Sequence, residues 1–278
     1  MSHSEPQIGY LQGRLSPIIY NRIQCFPVNY WREELYYGSR SGFSIIEWTV
    51  DSPTLPKNPI LEIKGQLEIK SIFDSLKISI PSVTCDFFME NPPWKKSFLD
   101  HSALTDIFDS LFRSTDILGP LILVVPLVDN SSITDLLHFE QTLDLLQNCD
   151  LDKFPIKIAF ESDFEPRELT TLILELPERQ FGINLDLGNS AALGFVPEEE
   201  VGSYGKRIIN VHLKDRLIGG TSVRFGTGNT DFNAYLRELK NIGYSGNYIL
   251  QSQRSVNNQH LDELRYCKNY VETLLAAK

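Results

Sequence analysis

The segment IKIAFESDFEPRELTTLILELPERQFGINLDL, residues 156–187, contains two short apolar runs separated by a helical pattern. The runs at 156–162 and 181–187 are apolar on both faces, which is typical of parallel strands that are buried on each side of a sheet. Residues 166–176 between them predict a covering helix. A strand, a helix and a second strand form the repeating unit of a parallel α/β fold.

The same alternation extends through the rest of the chain. The pattern predicts further strands at 7–13, 43–50, 78–88, 121–129, 208–214 and 247–252, and further helices at 29–42, 60–77, 98–119, 136–148, 197–206, 231–242 and 258–276. Eight strand-helix units in 278 residues predict a single (β/α)8 barrel domain that spans residues 1–278. An open doubly wound sheet is the alternative, but no glycine-rich turn follows the first strand to mark a dinucleotide site.

The longest predicted loops follow the first, third and seventh strands, at 14–28, 89–97 and 215–230. In a barrel all three lie at the carboxyl ends of the strands, where active sites of this fold are built. We therefore expect the functional residues at that face.

Polar side chains stand at matching positions near the ends of the last four predicted barrel strands: Glu161, Asp186, His212 and Gln251. Adjacent strands are only about 5 Å apart, so these side chains can reach one ion. Carboxylate, imidazole and amide groups suit a divalent metal, and Mn, Mg, Co and Zn are all compatible with such a mixed set. Taken singly, each residue also has a structural interpretation, as a strand-end ion pair, a turn cap or a core histidine.

Several segments of the chain resemble segments of the xylose isomerase-like TIM barrel family of sugar and sugar-phosphate isomerases and epimerases, and they occur in the same order along the chain. The segments are YLQGRLSP (10–17), FPVNYW (26–31), IIEW (45–48), ESD (161–163), INLDLGNSAALG (183–194), VHLKDR (211–216), VRFGTGNTDF (223–232) and GYSGNYILQ (243–251). Within the family the chain is similar to uncharacterised members and to the pentulose- and hexulose-phosphate 3-epimerase and isomerase branch. The resemblance implies that Glu161, Asp186 and His212 correspond to three of the family's four metal ligands.

Gln251 stands where the resemblance places the fourth ligand, a glutamate. In the family's epimerases that glutamate and the one matching Glu161 transfer protons on opposite faces of the substrate carbon. An amide can offer its carbonyl oxygen to a metal, but it cannot act as a general base. We therefore predict a metal-dependent isomerase or epimerase that forms an enediolate, with Glu161 as base and ligand and Gln251 as weak ligand or substrate hydrogen-bonder. Isomerisation is favoured because it needs proton transfer on one face only.

Further residues on the predicted active face are candidates for binding the substrate, a small sugar or sugar phosphate. Either Glu47 or Asp86 could replace the missing base, and Trp48 could form an apolar wall for a sugar ring, although ion pairing and rim packing are the structural alternatives. A group of cations predicts an anionic ligand unless they are paired or solvated: Arg14, Lys214, Arg216, Arg224 and Arg254. Glycines in the loop at 223–232 would let backbone amides approach a ligand.

Composition disfavours other classes of protein. A net charge of −10 is unsuited to binding nucleic acid through its phosphates, and five histidines are too few for the multi-zinc cluster of the apurinic-site endonucleases that share the fold. No targeting segment or long apolar run occurs, and four widely spaced cysteines predict reduced thiols in a cytoplasmic protein without membrane contact. A sugar-binding barrel without isomerase activity, a polyol dehydratase and a homo-oligomer remain open.

Overall fold

A computed structural model describes residues 6–95, 100–119, 121–149, 151–255 and 257–277. Eight parallel strands close into a barrel: β1 (Ile8–Leu11), β2 (Ile45–Val50), β3 (Ser79–Cys85), β4 (Leu121–Leu127), β5 (Ile156–Ser162), β6 (Phe181–Asp186), β7 (Ile208–Leu213) and β10 (Tyr248–Leu250). They are hydrogen-bonded in that order, and β10 pairs with β1 to complete the ring. The predicted (β/α)8 barrel is confirmed.

Helices connect successive strands and cover the outside of the barrel. They are α1 (Trp31–Arg40), α2 (Ile63–Leu76), α3 (Asp86–Glu90), α4 (His101–Leu118), α5 (Leu136–Gln147), α6 (Pro166–Leu174), α7 (Leu187–Leu193), α8 (Pro197–Tyr204), α9 (Phe232–Asn241) and α10 (His260–Ala276). A short antiparallel pair, β8 (Asp215–Arg216) and β9 (Ser222–Val223), lies in the loop after β7. No helix in the described parts of the chain combines the length and apolar character that a bilayer crossing requires.

Several element boundaries differ from the sequence prediction. The third strand ends at Cys85 rather than at residue 88, because Asp86 begins the short helix α3. The helix predicted from residue 60 begins at Ile63, after two short 3-10 turns. Residues 98 and 99 of the helix predicted at 98–119 lie outside the described residues. The observed helix α4 is capped by Asp100, whose carboxylate accepts a 2.8 Å hydrogen bond from the Ala103 amide.

The interior of the barrel is polar near the middle of the strands. Alternation along β2 puts Ile45, Glu47 and Thr49 on one face. Glu47 contacts side chains of both β3 and β7, and β7 is not a neighbour of β2, so this face must point across the barrel interior. The opposite face of β2 packs against the helices, and this separation decides which side chains can reach the site.

Candidate active site

Glu161, Asp186 and His212 lie together at the carboxyl ends of β5, β6 and β7. All three are buried, and one ligand-type atom of each lies within 4.8 Å of those of the other two. Strand pairing explains part of this arrangement, because Asp186 is in register with His212 across β6 and β7. Two carboxylates and an imidazole at this separation form a donor set suited to a divalent cation.

A buried carboxylate fixes the His212 ring. The Nε2 atom lies 2.6 Å from Glu47 Oε1, while Nδ1 faces Glu161 Oε2 at 3.3 Å and Asp186 Oδ2 at 4.0 Å. A carboxylate on one ring nitrogen commonly orients a histidine so that the other nitrogen can bind a metal. Burial lowers the pKa of His212, but attraction to Glu47 and Glu161 outweighs it and raises the pKa to about 10. An ion at Nδ1 would therefore displace a proton.

A network of hydrogen-bonded polar side chains that includes His212 crosses the barrel interior. Glu47 Oε2 accepts hydrogen bonds from Ser82 Oγ at 2.6 Å and from Asn210 Nδ2 at 2.9 Å. Asn210 Nδ2 also donates to Asn184 Oδ1 at 2.9 Å, and Asn184 Nδ2 donates to Glu161 Oε2 at 2.8 Å. We call Glu47, Ser82, Asn184, Asn210 and His212 the interior polar network.

Sequence reasoning missed the asparagines of this network, although a signal was present. Asn184 stands two residues before Asp186, and Asn210 stands two residues before His212. Because side chains two apart share a face of a strand, both asparagines had to point inward with the candidate ligands.

Asp186 is held from two directions. Its Oδ1 accepts a 2.9 Å hydrogen bond from the Asn189 amide and so caps α7, and its Oδ2 accepts a 2.8 Å bond from Lys214 Nζ. Burial raises the pKa of Asp186, but the nearby charges of Lys214 and His212 lower it by more, so the net shift is downward. The carboxylate is therefore ionised and available to a cation.

Close packing of Lys214 against α7 depends on Gly188. A Cβ at residue 188 would lie 2.6 to 2.7 Å from Cγ, Cβ and Cδ of Lys214, close to the rigid start of that side chain. We expect Gly188→Ala to displace Lys214 from Asp186 and to cost about 1 to 3 kcal/mol, the usual range for overpacking. Urea unfolding measures the change. Gly202→Ala in α8 is the control, because a Cβ there would meet no atom within 4 Å; an equal loss in both variants would contradict the expectation.

Gln251 follows β10 and is buried. Its Nε2 donates to Gln24 Oε1 at 2.8 Å. Its Oε1 is buried and has no hydrogen-bond partner among the described residues. An unpaired buried carbonyl oxygen costs free energy, so this atom is suited to accept a ligand that the protein alone does not supply.

A polar cavity of about 420 Å³ opens at these strand ends. This volume suits a small molecule. Both charged and amide side chains line it, among them Glu161, Gln251, Lys214, Arg216, Asp86 and Arg22. The donor set fits a divalent ion beside such a molecule, since Glu161 and Gln251 belong both to the cavity wall and to the candidate ligands.

Of the predicted substrate-binding residues, Lys214 and Arg216 line the cavity. Lys214 contacts Asp186, as described above. Arg216 NH1 donates to Asn189 Oδ1 at 2.7 Å, and its other nitrogens donate to the Gly220 carbonyl. These contacts hold both cations at the cavity edge.

Neither Glu47 nor Trp48, which the sequence predicts to bind substrate, lines the cavity. Both side chains are fully buried, and consecutive strand residues point to opposite faces. Glu47 points inward beneath His212. Trp48 points outward, packs against Phe26 and Trp31, and donates its indole N–H to Asn58 Oδ1 at 2.9 Å.

Arg14, Arg224 and Arg254 are also outside the cavity lining. The Arg14 guanidinium donates to the Ile23 carbonyl at 2.6 Å and to Gln24 Oε1 at 3.1 Å, and Arg254 donates to the Ser16 carbonyl. Arg224 lies 3.4 Å from Glu263 and stacks on Tyr266. These contacts are with the protein itself, and a role for the three residues in binding substrate stays a prediction.

The glycine-rich loop likewise serves the fold. Its amides at residues 226, 227, 228 and 230 donate to the carboxylate of Asp215 at 2.8 to 3.2 Å. Asp215 therefore occupies the amides that the sequence predicts to approach a ligand.

Three further polar residues of the cavity carry contacts that the sequence did not reveal: Asp86, Gln24 and Asn189. Asn189 Nδ2 donates to Glu161 Oε1 at 2.6 Å, and Gln24 Nε2 donates to Asp86 Oδ2 at 2.6 Å. Burial raises the pKa of Asp86 to about 7, against the lowering effect of the Gln24 hydrogen bond. The sequence predicts Asp86 only as a substitute base, and no sequence pattern marks the loop residue Gln24.

A family model described as xylose isomerase-like TIM barrel matches residues 36–270. The chain belongs to this family.

One relative matches part of the chain in sequence. An uncharacterised protein of Methanocaldococcus jannaschii is 31% identical over 106 residues, which cover 34% of this chain and 36% of the relative. The chain thus spans about a third of that protein's length.

Solved structures share the fold along nearly the whole chain. A xylose isomerase domain protein from Planctomyces limnophilus superposes with a TM-score of 0.74 at 17% identity and 98% coverage of both chains. An IolI protein with a bound zinc atom gives 0.72 at 18% identity, with 98% of both chains covered. A D-tagatose 3-epimerase-like protein gives 0.69 at 19% identity, with 96% of this chain and 98% of that one covered. At these identities the likeness establishes the fold alone.

Proposed function

We propose that this chain is a divalent-metal-dependent isomerase or epimerase of a small sugar or sugar phosphate. The observation that carries the proposal is the buried Glu161–Asp186–His212 cluster, which meets the wall of a polar cavity through Glu161. The names of the structural relatives, which include a zinc-binding protein and a sugar 3-epimerase-like protein, agree with it.

Glu161 is the base in this proposal. Asn184 and Asn189 each donate a hydrogen bond to one of its oxygens, at 2.8 and 2.6 Å, and so hold the carboxylate in one orientation. It removes a proton from the carbon beside the substrate carbonyl and returns it to the adjacent carbon. Asp186, His212 and the Gln251 oxygen would hold the ion together with Glu161. When bound, a divalent ion polarises the substrate oxygens and stabilises the negative charge that forms on them.

Other cavity residues support the same chemistry. Lys214 and Arg216 bring positive charge to the wall, where an anionic enediolate or a phosphate group would be stabilised. Asp86 is a buried carboxyl with a pKa of about 7, which suits a group that carries a proton between substrate oxygens. Since Gln251 cannot act as a base, isomerisation on one face fits this residue set better than two-face epimerisation.

The test is turnover with and without metal. Protein stripped by a chelator is expected to lose all interconversion of aldoses, ketoses and their phosphates, and to recover it with Mn, Mg, Co or Zn, because the ligand cluster holds the group that stabilises the enediolate. Chromatography of the sugars measures the reaction. Activity that is indifferent to chelator would contradict the proposal.

A binding protein without turnover is the second candidate, and Gln251 is the observation that favours it. In that case the stripped protein would still take up metal and bind sugar, but no substrate would be converted. A product lighter by one water would instead indicate a dehydratase.

A further inference from the structure

The amide of Gln251 poses an orientation problem that a carboxylate does not. A carboxylate presents an oxygen whichever way it turns, whereas an amide presents either an oxygen or an NH2 group. Only the oxygen can bind a cation. A glutamine ligand therefore needs a neighbour that fixes which end points at the ion.

Gln24, in the loop after β1, is in position to fix it. The Gln24 oxygen accepts hydrogen bonds from Arg14 at 3.1 Å and from Gln251 Nε2 at 2.8 Å, and its NH2 group donates to Asp86 Oδ2 at 2.6 Å. A guanidinium can only donate, so the Gln24 oxygen must face Arg14. The buried Arg14 on one side and the buried Asp86 on the other thus determine the orientation of the Gln24 amide.

The orientation of Gln251 follows from that of Gln24. If the Gln251 amide were turned over, its oxygen would face the Gln24 oxygen, and two acceptors would oppose each other. The observed orientation pairs donor with acceptor and leaves Gln251 Oε1 on the other side, buried and without a partner among the described residues.

We propose that Gln24 is a positioning residue that holds the Gln251 amide with its carbonyl oxygen toward the metal ligands, so that this oxygen completes the ligand set. The inference rests on the proposed function, since it assumes that Glu161, Asp186 and His212 bind a divalent ion. Gln24 lines the cavity but is not itself a ligand of the ion in this inference. It acts through Gln251, and Arg14 and Asp86 act through Gln24.

A double-mutant cycle tests whether Gln24 orients the Gln251 amide or only stabilises the loop after β1. The probe is Mn²⁺ alone, titrated calorimetrically into chelator-treated full-length protein. Gln24→Met is expected to weaken Mn²⁺ binding by about 10- to 100-fold, as for loss of other residues that orient metal ligands. In a Gln251→Glu background the same substitution should not weaken Mn²⁺ binding, because a carboxylate presents an oxygen in either orientation and loss of the Gln24 oxygen removes an acceptor that would oppose it.

Two controls accompany the cycle. Gln180→Met removes a glutamine that also donates to an aspartate, Asp152, but that does not line the cavity, and it should leave Mn²⁺ binding unchanged. Gln24→Ala repeats the main substitution without the larger methionine side chain, and thermal unfolding shows that each variant is folded.

The outcomes are distinct. Equal weakening by Gln24→Met in both backgrounds would mean a structural role and would overturn the inference, as would no weakening in either. Parent protein that binds none of Mn²⁺, Mg²⁺, Co²⁺ and Zn²⁺ would overturn both the inference and the proposed function. If it binds one of the other ions but not Mn²⁺, the cycle is run with that ion. If turnover depends on metal but the effects of the Gln24 and Gln251 substitutions on Mn²⁺ affinity are additive, the inference alone is overturned.

Discussion

Replacing Glu161 by glutamine is expected to lower kcat by about 10²- to 10⁴-fold, the usual contribution of a general base. The substitution keeps the size of the side chain but removes its charge and its basicity. It also places an NH2 group against Asn184 or Asn189, both of which donate to the present carboxylate. Mn²⁺ affinity should fall as well, because one of two negative ligands of the cluster is lost.

Steady-state rates on whichever aldose, ketose or sugar phosphate the parent protein converts measure this effect. Glu175→Gln makes the same change at an exposed position at the end of α6 and should leave kcat unaltered. Turnover by Glu161→Gln within a few-fold of the parent would show that another group removes the proton, and Asp86 would then be the carboxyl to substitute next.

Truncating Glu47 to alanine is expected to destabilise the protein by about 3 to 5 kcal/mol, the range for removing one member of a buried ion pair. Glu47 accepts hydrogen bonds from Ser82 and Asn210 and pairs with His212 at 2.6 Å. Without it, the Ser82 hydroxyl, one N–H of Asn210 and the Nε2 atom of His212 lose their acceptor in the barrel interior. The His212 ring also loses the contact that orients it, so Mn²⁺ binding should weaken by about 10- to 100-fold.

Urea unfolding gives the change in the free energy of unfolding, and calorimetry gives the change in Mn²⁺ affinity. Glu175→Ala is the matched control, and we expect it to lie within about 0.5 kcal/mol of the parent, as surface substitutions usually do. A Glu47→Ala protein as stable as this control would mean that the interior polar network does not depend on the carboxylate.

The barrel was predictable because each strand is a separate apolar run in the sequence. Apolar runs and helical spacing repeat eight times, and few folds accommodate that order. The positions of Glu161, Asp186 and His212 followed from the same reasoning, since equivalent ends of parallel strands meet at one rim. The structure places these side chains together, and their role as ligands stays a prediction.

The lining of the cavity was harder to predict because the position of a residue near the end of a strand does not determine where its side chain points. Glu47 and Trp48 are adjacent on β2, so one of them had to point away from the interior, and alternation alone would have shown this. The direction of Arg14 and Arg254 depends on how the loop at 14–28 folds back over the barrel. Likewise, Asp215 binds the amides of the glycine-rich loop through a turn that no residue pattern specifies.

Closure of the barrel between β1 and β10 determines when the site can exist during synthesis. Gln24 and Gln251 are 227 residues apart, and β1 gains its second neighbour only when residues 248–250 have left the ribosome. Until β10 pairs with β1, the sheet cannot close around Glu47, Asn184 and Asn210. Contacts between such distant parts of a chain form slowly. Under the proposed function, metal loading would therefore require the finished chain, because a nascent or stalled polypeptide lacks the Gln251 oxygen at this site.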